Sequence, residues 1–412
     1  MKILHVGYSD TKGGAAIAMM RLHVAMLDSN IDSHVLVTEK LSSIKNVYGP
    51  QNSFEILLSE IKKIVVRQKK YFFKSKNYNT HSLNIFNSNI VDKINKINPD
   101  IVNLHWINNE MVSIKQISKI KKPIVWTIND MWPICGSEHY SYSKRFMEGY
   151  FKNNREKNES GIDLNRWTWM RKKKHWNNKF STIVCISEWL KNQTLKSNLF
   201  KDCKVTTINC PIDNRQWKKI DKHQSREILD LPKNKKILLF VSNNGTKDER
   251  KGFEYVDGAL NELIKKKDNL LLLIIGKSDL DLKKKYDFKV IDKIFNGNPI
   301  ELRLFYSACD ILLAPSKLEA FGQVALEASS CGTPTIAFND TGFKDIIEHN
   351  KNGYLVKYGN QEDFTFGLNH ILDNLENEEM EIKNNCIRVS NKFSNDKIVN
   401  NYIKIYKEIF KV

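Results

Sequence analysis

The sequence predicts an α/β protein built from two Rossmann-like domains. Three observations carry that prediction. The chain of 412 residues exceeds one ordinary compact core and suits two domains of usual size. Short apolar runs recur at 3–6, 34–37, 100–105, 123–127, 182–186, 237–241, 270–275, 311–314 and 335–338, with helical spacing between them, as parallel strands joined by crossover helices require. In the stretch 309–348, finally, strand, glycine turn, helix and strand follow one another without interruption.

That last stretch is where chemistry is expected. The run 311–314 stops at Pro315 and Ser316, Gly322 permits a tight turn, 323–330 reads as a compact helix, and Gly332 with Pro334 ends it. A right-handed crossover of this kind puts the helix N-terminus at the carboxyl edge of a parallel sheet, where anionic ligands bind. Glu319 falls in the loop and Glu327 on the helix, so two acids can meet one ligand at different depths.

The ordered set Pro-Ser, Glu319-x7-Glu327, Phe321-Gly322, Cys331-Gly332-Thr333-Pro334 and Asn352-Gly353-Tyr354-Leu355-Val356 resembles the retaining glycosyltransferases of family 4. The resemblance implies the GT-B fold: two Rossmann-like domains facing a central cleft, with a C-terminal helix crossing back to the first. It places an acceptor-side domain at 1–208, joined by 391–412, and a nucleotide-sugar domain at 209–390. It also implies roles. Glu319 would hydrogen-bond the donor sugar, Phe321, Gly322, Gln323 and Val324 would line the sugar and diphosphate, and Glu327 would grip the ribose.

Composition narrows the setting. No apolar run reaches the roughly 18 residues that span a bilayer, and the opening MKILHVG reads as a strand rather than a signal peptide, so a cytosolic protein is expected, soluble or resting on the inner face of the membrane. Seven scattered cysteines form neither a disulfide ladder nor a zinc pattern. The net charge of +18 favours anionic partners, whether nucleic acid, phospholipid, lipid diphosphate or nucleotide, although lysine is abundant throughout and an AT-rich genome would give the same bias.

In the first domain, Lys12-Gly13-Gly14-Ala15-Ala16 is a glycine loop opening a helix that ends near Asn30. It is either a tight strand-to-helix turn or a loop whose amides approach a ligand; the family resemblance makes Gly13 an acceptor-side candidate and Gly14 a donor-side one. Residues 54–76 alternate Ile, Leu, Val, Tyr and Phe with Lys and Arg. Such a stretch fits an interfacial helix on an anionic membrane and fits a core-packing helix with a solvated lysine face equally well.

His105 and Asn129-Asp130 follow predicted strands and are acceptor-side candidates, with a satisfied structural histidine and a capping acid as the plain alternatives. WTINDMWP resembles a WTxHDMW pattern of the same family and departs from it at Asn129, which can hydrogen-bond but cannot shuttle a proton. Residues 140–178 read as an insertion or mobile segment, closing in a helix with Trp packed inward and lysines outward.

The lysine-rich interval up to Pro232 reads as a linker. Arg250-Lys251 at a helix start form an anion site suited to a diphosphate leaving group; Lys251 matches the family's lysine, while Asn244, Gly245 and Thr246 stand where relatives carry arginine. Asp279-Leu280-Asp281 has the form of a metal-binding DxD but requires a different topology, so no cofactor and no obligatory metal are expected. The resulting expectation is a hexosyltransferase of bacterial surface polysaccharide synthesis. It would use a nucleotide diphosphate sugar as co-substrate and a glycan or lipid-linked acceptor, touch anionic membrane peripherally, and bind no nucleic acid. The alternative is a nucleotide-sugar or polyanion-binding protein without turnover.

Overall fold

The computed structural model describes residues 1–75, 77, 80–242, 245–263, 269–276, 290–291 and 298–410. Asn244 and the Asp279-Leu280-Asp281 sequence lie outside the described residues. The chain forms two compact units, Met1–Pro211 with Ile398–Val412, and Ile212–Lys397.

The first unit is a seven-stranded sheet. Its strands are β1 (Lys2–Ser9), β2 (Asp32–Glu39), β3 (Val47–Tyr48), β5 (Ile101–Leu104), β6 (Ile124–Ile128), β8 (Thr182–Cys185) and β9 (Val205–Thr207), while β4 (Phe73–Lys74) and β7 (Ser160–Gly161) form a separate antiparallel ribbon. The spatial order β3-β2-β1-β5-β6-β8-β9, parallel throughout, is the doubly wound pattern expected of strands buried on both faces. Helix α1 (Gly14–Asp28) follows β1, and α2 (Ser53–Arg67) follows β3. The C-terminal helix Asn395–Phe410 completes this core: Ile398, Val399, Tyr402, Ile405 and Tyr406 pack with Ile3, Leu22, Val125 and Val184. The Tyr406 hydroxyl meets the Asn103 amide at 2.7 Å and the Tyr402 hydroxyl lies 3.1 Å from that of Thr127.

Residues 140–178 are packed into the first unit rather than loose. Phe146, Tyr150, Trp169 and Trp176 are buried, and Trp176 stacks edge-on against Trp126. The helix Leu164–His175 does turn Trp169 inward, yet Trp167 is 42 % exposed and Lys172 is fully buried. The Lys172 ammonium donates to the carbonyls of Trp132, Cys135 (3.1 Å) and Gly136 (2.7 Å) and sits 3.8 Å above the Trp132 ring; burial pulls its pKa down to about 7. Nearby, Arg145 pairs with Asp163 at 2.7 Å and with Glu159 at 3.3 Å.

The second unit carries β10 (Lys236–Val241), β11 (Leu270–Ile275), β12 (Val290–Ile291), β13 (Ile311–Ala314), β14 (Thr335–Phe338) and β15 (Gly353–Val356), ordered β12-β11-β10-β13-β14-β15 and again parallel. Residues 212–232 are not a free linker. Arg226 is buried and donates to the Ala308, Lys233 and Lys235 carbonyls (2.9–3.0 Å) and to Asp310 at 2.8 Å, and Lys222 reaches the same aspartate at 2.5 Å. One buried guanidinium with five donors thereby saturates the carbonyls around the entry to β10. Among the described residues no helix is long and apolar enough to cross a membrane.

Candidate active site

In the second unit β13 ends at Ala314, and the loop that follows bends back against the turn carrying Arg250 and Lys251. Lys317 N donates to the Arg250 carbonyl at 2.8 Å and an Arg250 guanidinium nitrogen donates to the Leu318 carbonyl at 2.9 Å. Gly252 makes the approach feasible. It sits at φ +69°, and a Cβ there would stand 2.1 Å from the Pro315 carbonyl oxygen, a distance only a hydrogen tolerates.

The consequence is a triad of charges. Lys251 Nζ lies 2.8 Å from Glu319 Oε2, with Arg250 Nη1 3.7 Å from the same oxygen. Burial alone would raise the Glu319 carboxyl pKa, but the Lys251 and Arg250 cations and the Lys251 hydrogen bond outweigh it and hold the group below its ordinary range. Glu319 is therefore an anion at neutral pH, with two cations at hand for a second anion to engage.

Three residues further, Gly322 caps the helix Gln323–Ser330 at φ +95° with no side-chain hydrogen bond, and a Cβ there would strike the Phe343 ring at 2.3 Å. Gly322, Gln323 and Val324 thus begin a helix whose N-terminal dipole lies three residues past Glu319 in the chain. Phe321 contributes backbone rather than ring: its amide hydrogen-bonds Glu319, while its side chain is 1 % exposed and packs edge-on against Phe393. Glu327 is buried on the same helix, where the Tyr306 hydroxyl donates to it at 3.1 Å.

The first unit groups its candidates at the carboxyl ends of its strands. Gly13, at φ +89°, is the N-cap of α1, and Gly14 opens the helix; both are exposed. His105 is buried, and its Nε2 lies 2.9 Å from Nδ1 of His5, a residue the sequence did not single out. Burial lowers the His105 pKa to about 3, and burial together with the neighbouring His105 and His23 lowers that of His5, so the two rings form a neutral pair in which one N–H donates to the other ring. His105 and Asn129 line one small cavity with Thr127, Asn209 and Tyr402. Asn129 donates to the Thr127 carbonyl at 3.0 Å while its buried Oδ1 has no hydrogen-bond partner among the described residues.

Asp130 is differently placed. It accepts from Trp106 Nε1 at 2.8 Å, His139 Nδ1 at 2.6 Å and the Trp132 amide at 2.9 Å, which is the pattern of an acid fixing a turn. Sequence reasoning missed His5, Lys172, Arg145 and Arg226, each of which is buried by tertiary packing and carries no local spacing signal.

Comparison with known proteins agrees with this fold. The model described as Glyco_transf_4, Glycosyltransferase Family 4, matches residues 12–216, and the model described as Glycosyl transferases group 1 matches 221–388. The capsular polysaccharide biosynthesis glycosyltransferase CapM of Staphylococcus aureus is 26 % identical over 56 % of this chain and 62 % of its own length. An uncharacterized 41.2 kDa protein in the cps region of Klebsiella pneumoniae is 24 % identical over 99 % of both chains. The chain spans about three fifths of the length of the first curated relatives it matches. Among solved structures, Anabaena Alr3699/HepE in complex with UDP and glucose superposes with a TM-score of 0.63 over 98 % of each chain at 16 % identity, which establishes a shared fold.

Proposed function

Since the chain belongs to the family-4-like glycosyltransferases of GT-B fold, we propose that it moves a hexose from a nucleotide diphosphate sugar to a sugar hydroxyl, with the anomeric configuration retained. The acceptor is a glycan or lipid-linked oligosaccharide of a bacterial surface polysaccharide, a reading supported by the likeness to a capsule glycosyltransferase and to a protein of a cps region. The observation that carries the proposal is the contact of Lys251 and Arg250 with Glu319 beside the Gly322 helix start.

In this reading the second unit holds the donor. Glu319 accepts hydrogen bonds from the sugar hydroxyls, the amides at Gly322, Gln323 and Val324 receive the diphosphate, and Glu327, steadied by Tyr306, takes the ribose. Lys251 and Arg250 stabilise the charge that grows on the leaving phosphate oxygen as the glycosidic bond breaks. The first unit meets the acceptor through Gly13, Gly14, His105 and Asn129, with Asp130 holding the turn. His105 is poorly suited to proton abstraction, because burial lowers its pKa to about 3 and its Nε2 is already engaged with His5; the acceptor proton passes to the departing phosphate oxygen. No metal is assigned to the step.

The test is a panel of UDP-, GDP- and ADP-linked hexoses, scored for protection against heat and for release of the nucleotide. One donor class should protect the protein and be turned over, with Glu319→Gln losing turnover, and the product anomer read by NMR should match that of the donor. Protection without turnover, unchanged in Glu319→Gln, would instead establish a sugar-nucleotide binding protein.

A further inference from the structure

Helix α2 is mounted with its polar side inward. Its charged residues are what hold it to the first unit: Glu55 accepts from Asn89 at 2.8 Å and pairs with Lys93 at 2.5 Å, Lys63 donates to the Tyr8 hydroxyl at 2.9 Å, and Lys62 donates to the Asn87 carbonyl at 2.6 Å. Phe54, Leu57, Leu58, Ile61, Ile64 and Val65, spaced as one helical stripe, are all exposed, Phe54 at 69 % and Ile64 at 54 %, and none of the fifteen residues is buried. A surface helix ordinarily turns such a stripe to the core. Here it is uncovered among the described residues of the unit.

The apolar surface continues past the helix. Tyr71 and Phe72 are exposed at 69 % and 59 %, and the β4/β7 ribbon sets Ile162, 58 % exposed, beside them, its backbone N–H donating to the Phe72 carbonyl at 2.8 Å. Charge names the occupant. Both acids of α2 are taken up by lysines, Glu55 by Lys93 and Glu60 by Lys63; the cations Arg67 and Lys74 stand exposed at the aromatic end; and the chain carries +18 overall. An apolar stripe about 17 Å long, ending in aromatic rings and cations, suits a surface that offers hydrocarbon beneath negative headgroups.

We infer that this face seats the protein on an anionic lipid bilayer, with α2 lying in the headgroup plane, its stripe toward the acyl chains, and Arg67 and Lys74 among the phosphates. The test floats the full-length protein with vesicles of phosphatidylcholine, with and without phosphatidylglycerol. Roughly tenfold more protein should float when the anionic lipid is present. Ile61→Glu/Ile64→Glu should stay in solution, and Arg67→Glu/Lys74→Glu should lose the preference for phosphatidylglycerol. Both variants should keep the wild-type melting temperature, since the replaced side chains touch solvent.

Wild type that stays in solution, or an Ile61→Glu/Ile64→Glu protein that still floats, overturns the inference, and equal binding to both lipids overturns its electrostatic half. A dimer seen by light scattering in wild type, lost in the isoleucine variant and unaccompanied by flotation, would show that the stripe meets protein instead. Flotation needs no sugar donor, so its failure leaves the proposed transfer untouched.

Discussion

Lys251 and Glu319, sixty-eight positions apart, meet at 2.8 Å because the main chains on either side of them are already joined, Lys317 N to the Arg250 carbonyl and Gly252 pressed against Pro315. The ion pair is therefore set by backbone. Under the proposed function, a diphosphate arriving at this site would find its cations in place and would displace part of an existing attraction rather than order two loose side chains.

Lys251→Ala should lower turnover by roughly 10²–10³-fold, the usual loss when one donor to a developing oxyanion is removed, with a smaller effect on the melting temperature. Steady-state kinetics with the donor found in the sugar-nucleotide panel checks this. A loss in stability matching the loss in activity would mark Lys251 as mainly structural.

Gly252→Ala should be worse for folding than its size suggests. The new methyl would sit 2.1 Å from the Pro315 oxygen at a positive φ, combining about 1–2 kcal/mol of left-handed strain with about 1–3 kcal/mol of overpacking. Urea unfolding should show a loss of about 2–5 kcal/mol in the second unit, and donor protection should weaken as Lys251 is pushed from Glu319.

Acid should destabilise the first unit earlier than carboxylate chemistry alone would. His105 is held neutral with its folded pKa down near 3, and His5 is lowered too, whereas in the unfolded chain a histidine binds a proton below about pH 6.5. The depressed folded value of His105 contributes stability that is complete above pH 6.5 and is lost as the pH falls from there toward 3, the loss reaching about 1.4 kcal/mol at pH 5.5. Urea midpoints measured from pH 7.5 to 4.5 should fall with that slope, and His105→Asn should flatten it by one proton.

Lys172→Met should cost about 3–5 kcal/mol, because three backbone carbonyls lose their shared donor inside the core. Tryptophan fluorescence during urea unfolding checks it directly, since Trp132 and Trp176 lie against the ammonium.

The strands and the second-unit site were legible because both are written locally. Ile311–Ala314 is a short apolar run with a stop, and Gly322 fixes where the next helix begins; Glu319 and Lys251 could be singled out from their own neighbourhoods. What could not be read is what three-dimensional packing decides. Lys172 stands in a run of three lysines whose other members are exposed, and periodicity cannot tell which one enters the core. Arg226 looked like part of a solvated linker until Asp310, distant in sequence, claimed it. His105 was visible as a strand-end histidine, but its partner His5 is a hundred residues away. The apolar stripe of α2 was evident, yet whether it faced in or out depended on Lys93, Tyr8 and Asn87 receiving its polar side.

The dependence of the first unit on Ile398–Val412 bears on the order in which the protein is synthesised. Residues 1–211 emerge from the ribosome with Ile3, Leu22 and Val184 lacking the neighbours that Tyr402 and Tyr406 later supply, and they wait in that state while residues 212–397 are translated. A nascent chain stalled before residue 398 should expose that gap to proteases and chaperones even though every strand of its first sheet has already been made.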